Sequence, residues 1–228
     1  MTNNKSYIIK MSICGLFVLN SLFSYTQTKD FGLWANFSLS KKISKKVDAS
    51  CNFESRFHEN ATRLDAVFAD FAIDYSIKKY LGVEAAYRPI LAYDIKSGYQ
   101  PEHRFFVGLF ANIKFNDVKI SYKIRVQEKF SDMYKNSWSE SANTLRNKVS
   151  VKYTLFGTPF RPFVSCEIFN PIENNTISFV NKARYVGGCD YLFSKKMSLS
   201  LFYLLQQEYN TKNPEQLHVL GVGFDYEL

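Results

Sequence analysis

From residue 31 to the C-terminus, the dominant pattern is a strict alternation of apolar and polar side chains. In the segment 118–127, for example, every second residue is apolar and every residue between them is polar. This two-residue period is that of a β-strand whose faces meet different surroundings, because successive side chains point to opposite sides. No helical period competes with it after residue 30. The alternation therefore predicts an all-β protein.

Eleven runs of this kind follow one another along the chain. Short turns alternate with longer polar loops between them, so that all turns fall at one end and all loops at the other. This is the layout of an antiparallel up-and-down transmembrane β-barrel, with periplasmic turns and extracellular loops. Each run also has at least the roughly 9 to 11 residues that a tilted strand needs to cross a bilayer. We therefore predict a barrel of 10–12 strands. The runs span residues 31–41, 47–58, 65–78, 81–95, 103–115, 118–130, 143–156, 160–169, 179–193, 197–209 and 217–228.

The count of eleven conflicts with the even strand numbers of bacterial single-chain barrels. If the last run descends to the periplasm, the first run descends as well, and closure would pair two parallel strands. We therefore expect an even number of strands. Ten strands result if the run 31–41 does not close the barrel, and twelve result if one run is split.

A soluble barrel or sandwich is the alternative fold, with the apolar register inside and the polar register in water. Tyrosine recurs on the apolar register near strand ends, which is typical of an interfacial aromatic belt in a membrane barrel. The last run, 217–228, carries its apolar face to the C-terminus and resembles the signal read by outer-membrane assembly machinery. Helical membrane proteins are excluded, because they need several apolar runs of roughly 18 residues and the mean hydropathy is −0.21. The membrane barrel is therefore favoured.

Residues 1–26 have the features of a secretory signal peptide. Lys5 and Lys10 precede an apolar segment at 11–23, and the small residues Ser24 and Thr26 stand before a cleavage site at Gln27. The apolar segment is too short for a membrane anchor. We therefore predict a barrel domain at 27–228 in the bacterial outer membrane, with outer-membrane lipid and the assembly machinery as its partners.

The polar register of such a barrel faces the lumen, and its charges are segregated. The three runs between residues 103 and 156 contribute nine bases and no acid, whereas the other runs contribute eleven acids. One interpretation is a structural or weakly permeable envelope protein whose opposed charges fill a narrow lumen. The other is a small-solute, anion-preferring channel with a ladder of bases. This candidate anion ladder consists of Lys119, Lys123, Arg125, Arg146 and Lys148.

Other activities find little support in the sequence. The formal net charge of +8 permits nucleic-acid binding, but the bases point inward without an aromatic platform, so no nucleic-acid partner is expected. The chain has no nucleophile elbow, no metal-ligand spacing and no phosphate-binding glycine loop. We therefore expect no catalytic residue, no metal and no cofactor. Three histidines near the loop-side strand ends leave a lipid-modifying barrel hydrolase as the third interpretation, and the oligomeric state is not assigned.

Several short motifs recur in a characteristic order over nearly all of the chain after residue 26. They are Trp34 before a Lys-rich turn, and the segments 53–57, 87–89, 126–128, 145–148, 166–169 and 221–226. In this order they resemble the uncharacterised barrel proteins grouped as domain of unknown function 2490. The resemblance implies an outer-membrane β-barrel with no established activity. If the recurrent Glu-x-Arg pairs of that family cluster in the lumen, they imply a charge network of Glu54, Arg56, Arg88, Arg146, Glu167 and Arg184.

Overall fold

The computed structural model describes residues 28–130 and 142–228, and all regular structure in these residues is β. Eleven long strands and one strand of two residues are found there. They are β1 (Thr28–Lys42), β2 (Val47–His58), β3 (Arg63–Lys78), β4 (Leu81–Asp94), β5 (Gly98–Phe115), β6 (Val118–Phe130), β7 (Ala142–Tyr153), β8 (Phe160–Glu173), β9 (Thr176–Ile177), β10 (Lys182–Leu192), β11 (Met197–Glu208) and β12 (Glu215–Glu227). Within these described ranges, no helix is long and apolar enough to cross a membrane.

The sheet closes on itself. Consecutive long strands pair in antiparallel fashion, and β9 only extends a hairpin at the end of β8, so that β8 pairs with β10. The closing pair is β1 with β12, which run parallel from Thr28 opposite Glu215 to Ser40 opposite Glu227. Each of the eleven long strands therefore has a hydrogen-bonded neighbour on both sides, which is the arrangement that a bilayer demands of a β-structure.

The barrel formed by the described residues has eleven strands, which agrees with the predicted range and with the count of alternating runs. The expectation of an even number is wrong. A parallel pair saturates backbone donors and acceptors as an antiparallel pair does, and it is only slightly less stable per residue. The structure therefore closes its backbone hydrogen bonding without an even number of strands. Run 31–41 takes part in the closure, and no run that the structure describes is split into two strands of the barrel.

The two ends of the barrel differ in the length of their connections. We call the end with the connections 43–46, 79–80, 116–117, 154–159 and 193–196 the turn rim, and the opposite end the loop rim. Because β1 and β12 are parallel, both strands start at the loop rim and end at the turn rim. β1 starts at Thr28, and β12 ends at Glu227. The predicted signal peptide at 1–26 and Gln27 lie outside the described residues.

The apolar register forms the outer surface, as the alternation predicts. On β5, for example, Val107 is 67% exposed, whereas its neighbour Phe106 points inward and is 1% exposed. Tyrosines are frequent among the exposed aromatic residues of this surface, which is the composition of a lipid-facing barrel wall. These exposed tyrosines are Tyr75, Tyr80, Tyr99, Tyr122, Tyr153, Tyr185, Tyr191 and Tyr203.

Aromatic rings also fill part of the interior. The ring of Phe202 lies over Gly221, where an added Cβ atom would come within 2.0 Å of it. Similarly, Phe110 lies over Gly82, and a Cβ atom on that glycine would be 2.3 Å from the ring. Large rings thus occupy space that neighbouring strands leave empty, because close packing requires large and small residues to face each other. The alternation alone did not predict these inward rings.

The parallel closure can be tested with a cross-link. We expect a disulfide between Ser38→Cys and Asp225→Cys, because these inward positions are direct partners in the β1–β12 register and paired strands bring Cβ atoms within disulfide range. The natural cysteines Cys51, Cys166 and Cys189 are free and are first replaced by serine. The measurement is the gel mobility of the oxidised and the reduced protein.

The matched control is the pair Asn36→Cys and Glu227→Cys, which lies on the same two strands but four residues out of register. It should remain uncross-linked, since four residues of a strand span about 13 Å. If the control pair cross-linked as well as the Ser38 and Asp225 pair, or if neither did, the parallel closure would be wrong.

Candidate functional site in the barrel lumen

Aromatic and arginine side chains alternate in a ring around the lumen, in the half of the barrel nearer the loop rim. Each arginine lies over the rings on both sides of it, within the range of about 6 Å over which cation–π attraction acts. The distances from guanidinium to ring centre run from 3.8 Å for Arg56 on Trp34 to 5.7 Å for Arg146 on Phe106. The ring, which we call the arginine belt, follows the order Trp34, Arg56, Phe68, Arg88, Phe106, Arg146, Phe169, Arg184 and back to Trp34.

Strand order produces this alternation. The aromatic members lie on β1, β3, β5 and β8, and the arginines lie on β2, β4, β7 and β10, all at inward-facing positions. Arg146 and Phe169 are direct register partners on β7 and β8. Neighbouring strands thus place a cation beside a ring almost all the way around the barrel, so the belt braces the wall from within.

Three of the belt arginines are neutralised by carboxylates. Arg56 Nε donates to Glu54 Oε1 at 2.7 Å, and Arg88 forms a two-pronged pair with Asp70. The most buried pair is Arg146 with Glu167, each 7% exposed, in which Nε and one terminal nitrogen of the arginine donate to Oε1 at 3.0 and 2.8 Å. Such pairing is what allows charged groups to be buried.

Arg184 differs from the other three. Its Nε donates to Gln206 Oε1 at 2.8 Å, and no carboxylate of the described residues lies within ion-pair distance of it. Its guanidinium is held instead between the rings of Trp34 and Phe169, at 5.2 and 4.9 Å from their centres. Arg184 therefore makes no ion pair in the described part of the chain, and its register partner Glu167 on β8 is paired with Arg146 instead.

The belt opens onto a cavity of about 150 Å³ on the side of the loop rim. None of the described residues that line this cavity is acidic, and seven of them are basic. The lining residues are Arg56, Arg88, Arg104, Gln127, Lys129, Thr144, Arg146, Phe169, Asn181, Lys182 and Arg184. The cavity wall is therefore cationic.

The acids that pair with the bases of this wall do not themselves line the cavity. Glu102 pairs with both Arg104 at 3.0 Å and Lys129 at 2.6 Å, and Glu208 pairs with Lys182 at 3.1 Å. With Glu54, Asp70 and Glu167, five carboxylates are paired with six of the seven bases of the lining. Two positive charges are left over, because Arg184 makes no ion pair among the described residues and Glu102 serves two bases.

Below the belt, bases face each other directly across β6 and β7. The register places Lys119 opposite Lys152, Lys123 opposite Lys148, and Arg125 opposite Arg146. Like charges in such positions repel and destabilise a sheet unless other groups compensate them. Together with the cavity wall, these pairs form a line of cationic side chains from the loop rim to the turn rim, which we call the basic line.

Acids from distant strands compensate part of the basic line. Glu84 on β4 reaches Lys123 at 2.6 Å and Arg125 at 3.3 Å, and Asp190 on β10 pairs with Lys152. Glu84 can do so because the intervening strand β5 has Gly108 at this level, paired with Glu84 on one side and with Arg125 on the other. A Cβ atom on Gly108 would lie 2.8 Å from that of Arg125. The missing side chain therefore opens the path between acid and base.

Two members of the candidate anion ladder have no such partner. Lys119 and Lys148 make no hydrogen bond or ion pair with any described residue, whereas Lys123, Arg125 and Arg146 are paired. The structure thus spreads the ladder along the basic line, from Arg146 in the belt to Lys119 near the turn rim. Lys119 and Lys148 are its members without an ion pair to a described residue, although Lys148 lies opposite Glu167 in the β7–β8 register.

The residues proposed as a charge network lie close together. All four arginines belong to the arginine belt, and Glu54 and Glu167 pair with two of them. Asp70, Gln206 and the four aromatic members of the belt were missed by the sequence reasoning. The available signal was the presence of large aromatic residues such as Phe106 and Phe169 on the polar register, where a solvated lumen has no need of them.

The three histidines do not converge on one site. Tyr87 and His103 are 2.6 Å apart, His218 pairs with Tyr203, and His58 lies 3.4 Å from Asp65. No group of three or more His, Cys, Asp or Glu side chains that could hold a metal ion occurs in the described part of the chain.

Comparison with known proteins identifies the family and the fold of this chain. The model of the family described as "Protein of unknown function (DUF2490)" matches residues 31–218, which confirms the resemblance seen in the motifs. Among solved structures, a NanC porin aligns with a TM-score of 0.55 and 12% identity, covering 87% of this chain and 98% of the porin chain. LpxR from Salmonella typhimurium aligns with a TM-score of 0.51 and 8% identity, covering 84% of this chain and 87% of that chain. No curated protein sequence shows significant similarity. The fold is that of porin-like outer-membrane β-barrels.

The bracing role of the belt predicts a large loss of stability for Arg146→Met. Glu167 would remain buried without its two hydrogen bonds, which costs about 3 kcal/mol. We expect the heat-shifted gel band of the barrel in detergent to convert to the unfolded form at a clearly lower temperature. The double variant Arg146→Met with Glu167→Leu should recover much of this loss, because it removes both charges.

The control is Arg63→Met, which breaks an ion pair with Glu59 at the loop rim. Because both partners are solvent-accessible, it should change stability by less than about 1 kcal/mol. Equal transition temperatures for Arg146→Met and the unchanged protein would contradict the bracing role.

Proposed function

This chain belongs to the DUF2490 family of proteins of unknown function, and we propose that it is an outer-membrane barrel with weak, anion-preferring permeability. It braces the membrane-spanning wall through its lumen charges and lets only small anions pass. This joins the two leading interpretations of the sequence, a weakly permeable structural protein and an anion-preferring channel.

The observation that carries the proposal is the basic line. Cationic side chains follow one another from Lys129 near the loop rim, through Arg146 and Lys148, to Lys119 near the turn rim. The wall around them has low dielectric, so it focuses the field of these charges into the lumen. Rings or lines of lysine and arginine are what anion pores use to attract their ions. Lys119 and Lys148 make no ion pair with any residue that the structure describes, and Glu167 opposite Lys148 is paired with Arg146, so the charges of both lysines favour anions inside the lumen.

The arginine belt argues that permeability is weak. Eight strands leave room only for interior side chains and about sixteen leave an open channel, so eleven strands give an intermediate lumen. Eight large side chains narrow this lumen further at the level of the belt. The cavity of about 150 Å³ beside it is smaller than the roughly 300 Å³ at which pockets for larger organic ligands begin. Inorganic ions and very small organic anions are therefore the proposed solutes.

The proposed location is the bacterial outer membrane, with outer-membrane lipid around the barrel. The support is the fold, the apolar outer surface with its exposed tyrosines, and the final strand. On β12, Leu220 and Val222 are exposed on the outer face, and the same register continues through Phe224 and Tyr226 to Leu228. We propose that this strand is read by the outer-membrane assembly machinery after export directed by residues 1–26.

Planar lipid bilayers test the channel. We expect small conductance steps with a reversal potential that favours chloride over potassium, because the uncompensated bases enrich anions in the lumen. The double variant Lys119→Gln and Lys148→Gln should lower the ratio of anion to cation permeability by roughly twofold or more, since it removes two lumen charges. If the unchanged protein produced no conductance steps at all, the channel part of the proposal would be wrong.

The matched control removes two lysines outside the lumen. Lys45 and Lys46 lie in the exposed turn between β1 and β2, so Lys45→Gln with Lys46→Gln changes the net charge equally. The control should retain the selectivity of the unchanged protein. An equal shift in both double variants would mean that net charge, and not the basic line, sets the selectivity.

A further inference from the structure

The cavity beside the arginine belt is lined by seven bases and has two properties that an ion path does not need. It is of defined size at about 150 Å³, and it has unused hydrogen-bond donors. Passage of ions requires only a favourable potential, whereas converging unused donors are the mark of a site that binds.

The unused donors belong to four side chains of the lining. Arg184 uses only its Nε, in the bond to Gln206, so its terminal nitrogens have no acceptor among the described residues. The Nε of Arg104 is buried and has no hydrogen-bond partner, although a terminal nitrogen of the same group binds Glu102. The side chains of Thr144 and Asn181 also line the cavity without a hydrogen bond to the described part of the chain. An unmade bond at a buried arginine is costly, so these groups favour an acceptor.

The balance of charge indicates which acceptor fits. Six of the seven bases are paired with five carboxylates and Arg184 makes no ion pair in the described ranges, so two positive charges of the wall lack a counter-charge. A monoanion would neutralise one of them, and a dianion neutralises both. Arginine forks bind oxygen atoms in pairs, which favours an anion with several oxygens over a halide.

We propose that this cavity is a saturable binding site for one small dianionic oxyanion with the chemistry of a phosphate group. Arg184 and Arg104 bind its oxygens, and Lys182 and Lys129 face the entrance from the loop rim. The inference rests on the proposed function in that it uses the same lumen, and it names the class of anion that the lumen retains. The cavity volume admits a phosphate or sulfate ion, or the phosphate group of a small ester.

The test measures stabilisation of the full barrel, folded in a non-ionic detergent at pH 8. Sodium phosphate, sodium sulfate, glycerol 3-phosphate, sodium acetate and sodium chloride are titrated at constant ionic strength, and the thermal unfolding temperature is recorded. Phosphate and sulfate should raise it along a saturating curve, because binding to the folded state alone stabilises it. Acetate and chloride should not. A response to glycerol 3-phosphate as well would show that the site accepts a phosphate ester, whereas a response to the inorganic ions alone would show that it takes the free anion.

Variants locate the site. Arg184→Gln should weaken the apparent phosphate affinity about tenfold or more, since one charge-assisted contact is lost. The control is Arg161→Gln, an inward arginine near the turn rim on β8, which should leave the affinity unchanged. If Arg184→Gln does not fold, Arg104→Gln serves in its place, because Glu102 keeps Lys129 as its partner.

Two results would overturn the inference. One is equal stabilisation by all five salts, which would indicate general screening of charge. The other is equal phosphate affinity in Arg184→Gln and Arg161→Gln. Bilayer recordings separate this inference from the proposed function. Saturable binding without conductance would contradict only the channel, and conductance without saturable binding would contradict only the binding site.

Discussion

Closure of the backbone hydrogen bonds is the constraint from which the rest of this structure follows. A sheet surrounded by lipid has no water to satisfy an open edge, so its first and last strands must pair. Here that pair is parallel, between β1 and β12, and the barrel contains eleven long strands among the described residues. Once the sheet is closed, the two-residue period of each strand decides which side chains meet lipid and which meet the lumen.

The lumen of a closed barrel of this size must be filled, and this chain fills it with cations that are held by both rings and acids. The belt arginines lie between aromatic faces, and three of them have a carboxylate. Small residues are as important as large ones. Gly108 lets Glu84 reach across a whole strand to Arg125, and Gly221 makes room for Phe202. The same arrangement stabilises the wall and leaves it with unbalanced positive charge, so the bracing and the proposed anion preference have one origin.

Much of the fold was accessible from the sequence because it depends on local patterns. The alternation predicted the strands and their lipid and lumen faces, and β2 and β6 begin and end at the predicted residues. Only the even strand number was mispredicted, because the parallel closure that eleven runs imply was set aside in favour of the even numbers of bacterial single-chain barrels. The partner of Arg88 was missed for a different reason. Asp70 lies on a neighbouring strand, and their meeting depends on stagger between strands rather than on spacing. The lack of an ion pair at Arg184 among the described residues likewise depends on side-chain reach: its register partner Glu167 pairs with Arg146, and Gln206 of β11 binds its Nε.

The parallel pairing of β1 with β12 also determines the order in which the barrel can be completed. Hairpins between consecutive strands close short loops and can form early, whereas β1 has to wait for the last thirteen or so residues of the sheet. Contacts between such distant segments are the slowest to form, because the whole intervening chain must first be ordered. Until then, β1 and β11 present two unsatisfied edges, each with one apolar face, and such edges recruit other strands. Assembly of this protein therefore depends on keeping those two edges apart from other chains until the final strand arrives.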